Sequence, residues 1–148
     1  MQTKKIEITT TTHAIAVGLY ISQSVLGCLY VLHLAVAKSM TDITNPFFVD
    51  FWAFALFAAG ATATAAVLSS KTNPLPALKV EMIAALALSG LSLWYEITLV
   101  ISNGFVGVVT TQTYAVMVAI ACFFRAVQIQ KERRRVFRTL KSLNSVEG

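Results

Sequence analysis

Four long apolar runs, separated by short polar breaks, constrain this chain more than any other feature. They cover 14–37, 47–68, 80–101 and 105–124, each 20 to 24 residues long. As helices, runs of that length cross a hydrocarbon core of about 30 Å. Charged residues make up only 13% of the 148, against roughly a quarter in an ordinary soluble domain. That is too little charge to clothe a soluble surface, so lipid is the expected solvent. The expected fold is all-α and polytopic, a four-helix up-down transmembrane bundle. Residues 1–13 form a polar N-terminus, and 125–148 a basic C-terminal tail.

The breaks carry helix-ending chemistry. Thr44-Asn45-Pro46 precedes the second run, Asn73-Pro74-Leu75-Pro76 separates the second from the third, and Ser102-Asn103-Gly104 joins the third to the fourth. The last break is short enough to force an antiparallel hairpin. The first run is about twice the length of a signal-peptide core, and Ser22-Gln23-Ser24 interrupts it, which favours a span over a cleaved leader.

Orientation follows from lysine and arginine. With four spans, Lys4, Lys5, Lys71, Lys79 and the seven basic residues from Arg125 to Lys141 fall on one side, and only Lys38 on the other. Both termini are therefore expected in the cytoplasm, with the protein in a bacterial inner membrane. The net charge of +5 is concentrated just after an apolar run. That placement suits anionic headgroups and not nucleic acid. Arg125, Lys131, Arg133, Arg134, Arg135, Arg138 and Lys141 are the expected headgroup contacts, on a helical extension with Val136, Leu140 and Leu143 at helical spacing.

Ionisable side chains at membrane depth are costly, so they are the first place to look for function. Glu96, Asp50 and His33 fall in one layer near the outer surface and form a candidate proton or cation site. Ser89 and Ser92 share a face of the third run with Glu96. Across the hairpin, Thr110, Thr111 and Gln112 are level with Glu96 and are its expected hydrogen-bonding support. The alternative reading of all of these is structural. The aromatic cluster Phe47, Phe48, Phe51, Trp52, Phe54 and Phe57 reads as a boundary anchor, or alternatively as a ligand-binding aromatic box. Cys28 and Cys122 differ in depth by roughly 12 Å, too far for a disulfide. His13 and His33 are some 30 Å apart on one helix, so they cannot share a haem iron. There is no phosphate loop, nucleophile constellation or metal-ligand spacing, and the loops are too short for a soluble active site. No enzyme activity, cofactor or metal is expected.

Small residues allow helices to approach closely in lipid. Ala14, Gly18 and Ser22 form one such ridge, residues 58–66 are small on every face, and Ala85, Ser89 and Gly90 add a third surface. Homo-oligomers are an expected outcome. The layout, with its tiny loops and a tail of Arg133-Arg134-Arg135 type, resembles the small multi-span membrane proteins of bacteriophages, including holin-like proteins. That resemblance lies in plan and not in a motif, and it implies self-association in the membrane until the membrane is breached. The functional expectations, in order, are a self-associating holin-like or pore-forming protein, a proton- or cation-coupled transporter using Glu96, and an accessory subunit of a larger membrane complex.

Overall fold

A computed structural model describes residues 10–35, 38–42, 44–70, 72–103 and 109–144. They form α1 (Thr10–Val31), a short α2 (Lys38–Thr41), α3 (Pro46–Ser69), α4 (Pro74–Asn103) and α5 (Val109–Asn144). Four helices are long and apolar enough to cross a membrane, with spans Ala14–Val31, Pro46–Ser69, Pro74–Ile101 and Thr113–Arg135.

The helix ends differ from the apolar runs for identifiable reasons. The first run reads through to Ala37, but α1 stops at Val31. There the His33 amide donates to the Tyr30 carbonyl (3.0 Å) and the Leu34 amide to Leu29 (2.9 Å). His33 itself is left-handed, with φ 54°. This pair of bonds around a left-handed residue is the Schellman C-cap. At the start of α3 the Asn45 side chain accepts from the Phe47 amide at 3.0 Å, and Pro46 fills the first turn. Proline is tolerated there because its missing N–H has no helical partner anyway. The same tolerance starts α4 at Pro74, before the apolar run begins at Val80. Glu81 therefore sits about two turns inside a helix. The fourth run ends at Phe124, yet α5 continues unbroken to Asn144 over 36 residues.

Each long helix buries one stripe at three- and four-residue spacing, the pattern of a bundle seam. Ala16, Tyr20, Gln23 and Gly27 form it in α1, and Ala53, Leu56, Gly60, Ala63 and Val67 in α3. Glu81, Ala85, Leu88, Ser92 and Leu99 form it in α4, and Ala115, Val118, Cys122, Arg125 and Ile129 in α5. Antiparallel α1 and α3 approach closely at two glycines. A Cβ on Gly27 would come 2.4 Å from the Phe57 nitrogen, and one on Gly60 2.7 Å from the Ser24 nitrogen. The small ridge of α1 lies away from this contact. Ala14, Gly18 and Ser22 are exposed, and nothing lies within 4 Å of a Cβ added to Gly18. On α4, Ala85 is fully buried and the Ser89 hydroxyl donates to the Ala119 carbonyl at 2.9 Å, holding α4 against α5. Gly90 faces out with open space around it.

The surface is the inverse of a soluble protein's. Ile15, Phe51, Phe54, Leu68, Ile83, Leu93, Met117, Ile120 and Phe124 point outward. The polar residues Gln23, Glu81, Ser92, Thr98 and Arg125 are inside. With no water to compete, backbone and side-chain polar groups turn toward each other and apolar groups toward lipid. This distribution and the four spans suit an integral membrane protein.

Candidate functional site: the polar interior of the bundle

Two polar zones occupy the interior. The first lies toward the basic end, where α4 begins and α5 continues. Its members come from three buried stripes, Tyr20 on α1, Glu81 on α4 and Arg125 on α5. Glu81 and Tyr20 are fully buried, and Arg125 is 5% exposed. The Arg125 Nε donates to Glu81 Oε1 at 2.9 Å, and its Nη2 lies 2.9 Å from the same oxygen. The Tyr20 hydroxyl also donates to Oε1, at 3.3 Å. All three groups converge on one carboxylate oxygen, while Glu81 Oε2 has no hydrogen-bond partner. This geometry is less complete than a two-pronged arginine–carboxylate fork, in which each oxygen takes its own N–H. On the other side of the guanidinium, Glu132 Oε1 lies 3.6 Å from Nη1. Arg125 is thus shared between two carboxylates.

The second zone is a partly open cavity of about 210 Å³, with walls from all four long helices and with Tyr114 of α5, on its wall, half exposed. Gln23, Tyr30, Trp52, Ser92, Tyr95 and Tyr114 supply its polar and aromatic lining. Trp52 stacks on Tyr95 with centroids 5.3 Å apart and tilts against Tyr30 at 5.5 Å. The Trp52 indole N–H donates to the Leu91 carbonyl at 3.1 Å, so this ring offers the cavity its π surface and not a donor. The Gln23 amide donates to the Tyr114 hydroxyl at 3.1 Å, bridging α1 to α5. Among the described residues no charged side chain lines this cavity. The lining can accept and donate hydrogen bonds and can hold a cation against aromatic faces.

The residues singled out from the sequence are distributed unevenly over these zones. Ser92 is buried and lines the cavity. Glu96 is half-buried one turn beyond Ser92 on α4, and its Oε2 has no hydrogen-bond partner. Asp50 is exposed on α3, and His33 is exposed in the cap beyond α1. Among the described residues no three His, Cys, Asp or Glu side chains come together to hold a metal, so Glu96, Asp50 and His33 do not form such a cluster. Ser89 spends its hydroxyl on the α4–α5 contact. The side chains of Thr110, Thr111, Gln112 and Lys141 lie outside the described residues.

Arg125 differs most from expectation. It was expected at the headgroups, but its guanidinium is inside the bundle on Glu81, because it falls on the buried stripe of α5 one turn after Cys122. Lys131, Arg134, Arg135 and Arg138 are exposed on α5, and Arg133 is half-buried. Of the aromatic cluster, Phe47, Phe48, Phe51, Phe54 and Phe57 face outward, and Trp52 alone turns in, at 3% exposure. Cys28 and Cys122 are free thiols.

Sequence reasoning passed over Glu81, Tyr20, Gln23, Tyr30, Tyr95 and Tyr114. One signal pointed to the ion pair. Glu81 and Arg125 each lie 22 residues from Asn103 at the hairpin. In an antiparallel pair of helices, equal distances from the turn mean equal depth. No family model, curated protein or solved structure matches the chain.

Proposed function

We propose that this protein is a small, non-enzymatic integral membrane carrier or channel that binds a small organic cation in its central cavity. The observation carrying the reading is the cavity itself, lined by aromatic faces and hydrogen-bonding side chains of all four long helices. A pore built by self-association would need polar surface between subunits, whereas here the polar groups line the inside of one chain. Glu96, one turn beyond the cavity wall, is the acidic group that draws the cation in and offsets its charge. The buried Tyr20–Glu81–Arg125 network forms the polar floor toward the basic end. In the orientation proposed, the basic end faces the cytoplasm and Glu96 lies near the opposite surface.

The test is flux of tetramethylammonium or choline into proteoliposomes. Transport by the parent, loss in Glu96→Gln with the folded yield unchanged, and loss in Trp52→Leu support the reading. Equal flux in empty liposomes overturns it.

A second reading, a self-associating protein of holin-like type, is favoured by the exposed ridge Ala14, Gly18 and Ser22, which leaves a close-packing surface free on α1. It requires homo-oligomers in gently extracted material and abrupt loss of membrane potential on induced expression. Copurification with fixed membrane partners would instead mark an accessory subunit.

A further inference from the structure

α5 continues past the first turn of α4, and a cleft of about 330 Å³ opens between the two. Its walls are Leu75 of α4 and Gln130, Arg133, Arg134, Phe137 and Arg138 of α5. Three guanidinium groups line it and, among the described residues, no acid does. The one acidic residue of α5, Glu132, is turned away onto Arg125 at 3.6 Å, so it does not neutralise the cleft. Phe137 stands 65% exposed beside the arginines.

Depth follows from the helix. Arg133 and Arg138 are 8 and 13 residues past Arg125 on the unbroken α5, which places them roughly 12 to 20 Å further along the axis. Arg125 itself lies inside the apolar belt. The cleft therefore straddles the basic end of the span Thr113–Arg135, the level expected for lipid phosphates. Arginine presents a planar set of donors suited to phosphate oxygens. An apolar ring and a leucine beside those donors suit the glycerol and upper acyl region of the same molecule. Basic clefts between membrane helices at this depth recognise phospholipid headgroups.

We infer that this cleft is a binding site for an anionic phospholipid, with Arg133, Arg134 and Arg138 on its phosphate and Phe137 and Leu75 against its glycerol and acyl portion. The inference is independent of the central cavity, which lies on the opposite side of the Glu81–Arg125 pair.

The test is native mass spectrometry of the full chain after exposure to mixed micelles with equal amounts of phosphatidylglycerol and phosphatidylcholine. The parent retains phosphatidylglycerol preferentially, and each of Arg133→Gln, Arg134→Gln and Arg138→Gln weakens retention by roughly fivefold. Lys131→Gln, an exposed charge on α5 outside the cleft, leaves retention unchanged. These variants alter partly or fully exposed side chains, and unchanged helical circular dichroism verifies that they fold. Equal retention of both lipids overturns the inference, as does an equal loss with Lys131→Gln, which would assign retention to the diffuse charge of the tail. Glycerol 3-phosphate is the soluble competitor. If it displaces phosphatidylglycerol at comparable concentration, the occupant is a free phosphate compound and the lipid assignment fails.

Discussion

Removing either partner of the Glu81–Arg125 pair should be far more damaging than removing both. The carboxylate side chain is 1% exposed and the guanidinium 6%, so neither charge can recover hydration when its partner is lost. An orphaned buried charge costs about 3–5 kcal/mol, whereas replacing a buried pair by apolar residues of similar volume is often neutral. Glu81→Leu leaves Arg125 with Glu132 at 3.6 Å, and so falls at the lower end, about 3 kcal/mol. Arg125→Met leaves Glu81 with only the Tyr20 hydroxyl, at 3.3 Å, and falls at the upper end, about 5 kcal/mol. The double variant should unfold within about 1 kcal/mol of the parent. The assay is reversible unfolding in mixed micelles with increasing dodecyl sulfate, followed by circular dichroism, with all four proteins forming a double-mutant cycle. Single losses below about 1 kcal/mol would mean that the pair behaves like a solvated surface bridge. A double variant as unstable as the summed singles would mean that the two side chains do not depend on each other. Either result refutes the reasoning.

Gly27→Ala and Gly60→Ala should each destabilise by about 1–3 kcal/mol in the same assay, because the added methyl meets rigid backbone. Gly18→Ala, with open space around it, should be neutral or stabilising by up to about 1 kcal/mol through helix propensity. His33→Gly should stabilise by about 1 kcal/mol, since glycine occupies the left-handed cap without the Cβ conflict. A loss of stability there would show that the imidazole makes a contact worth more than the strain. Tyr20→Phe should cost no more than about 1.5 kcal/mol, because its hydrogen bond to Glu81 is long at 3.3 Å.

The helices were legible in the sequence because their signal is physical and continuous, an apolar run of bilayer length between turn residues. Their ends were less so. Nothing apolar distinguishes Val31 from Ala37, and only the left-handed turn at His33 stops α1. Pro74 and Pro76 read as breakers, yet a first helical turn accepts them, so α4 starts before the apolar run and Glu81, at the edge of that run, sits well inside the helix. The site was read least well. Glu96, Asp50 and His33 stand out in the sequence as ionisable groups near one surface, while the buried charges sit at the other end on stripe positions. Arg125 was grouped with the tail because it opens a run of basic residues, although its spacing from Cys122 and Ile129 marks it as interior. The cavity wall was illegible for another reason. Tyr30, Trp52, Tyr95 and Tyr114 are remote in sequence, and only the bundle brings the rings together.

A buried ion pair is weak evidence for stability, since apolar residues would hold α4 to α5 as well. Its presence beneath a neutral cavity therefore asks for a second role, and the double variant separates the two. Glu81→Leu with Arg125→Met should fold like the parent, by the reasoning above. If the pair only sets the register of the hairpin, the folded double variant carries tetramethylammonium across a liposome membrane at the parental rate. If the solute must pass the pair to reach the basic end, the same protein still binds in the cavity, quenching Trp52 in a Trp94→Phe background, but delivers nothing.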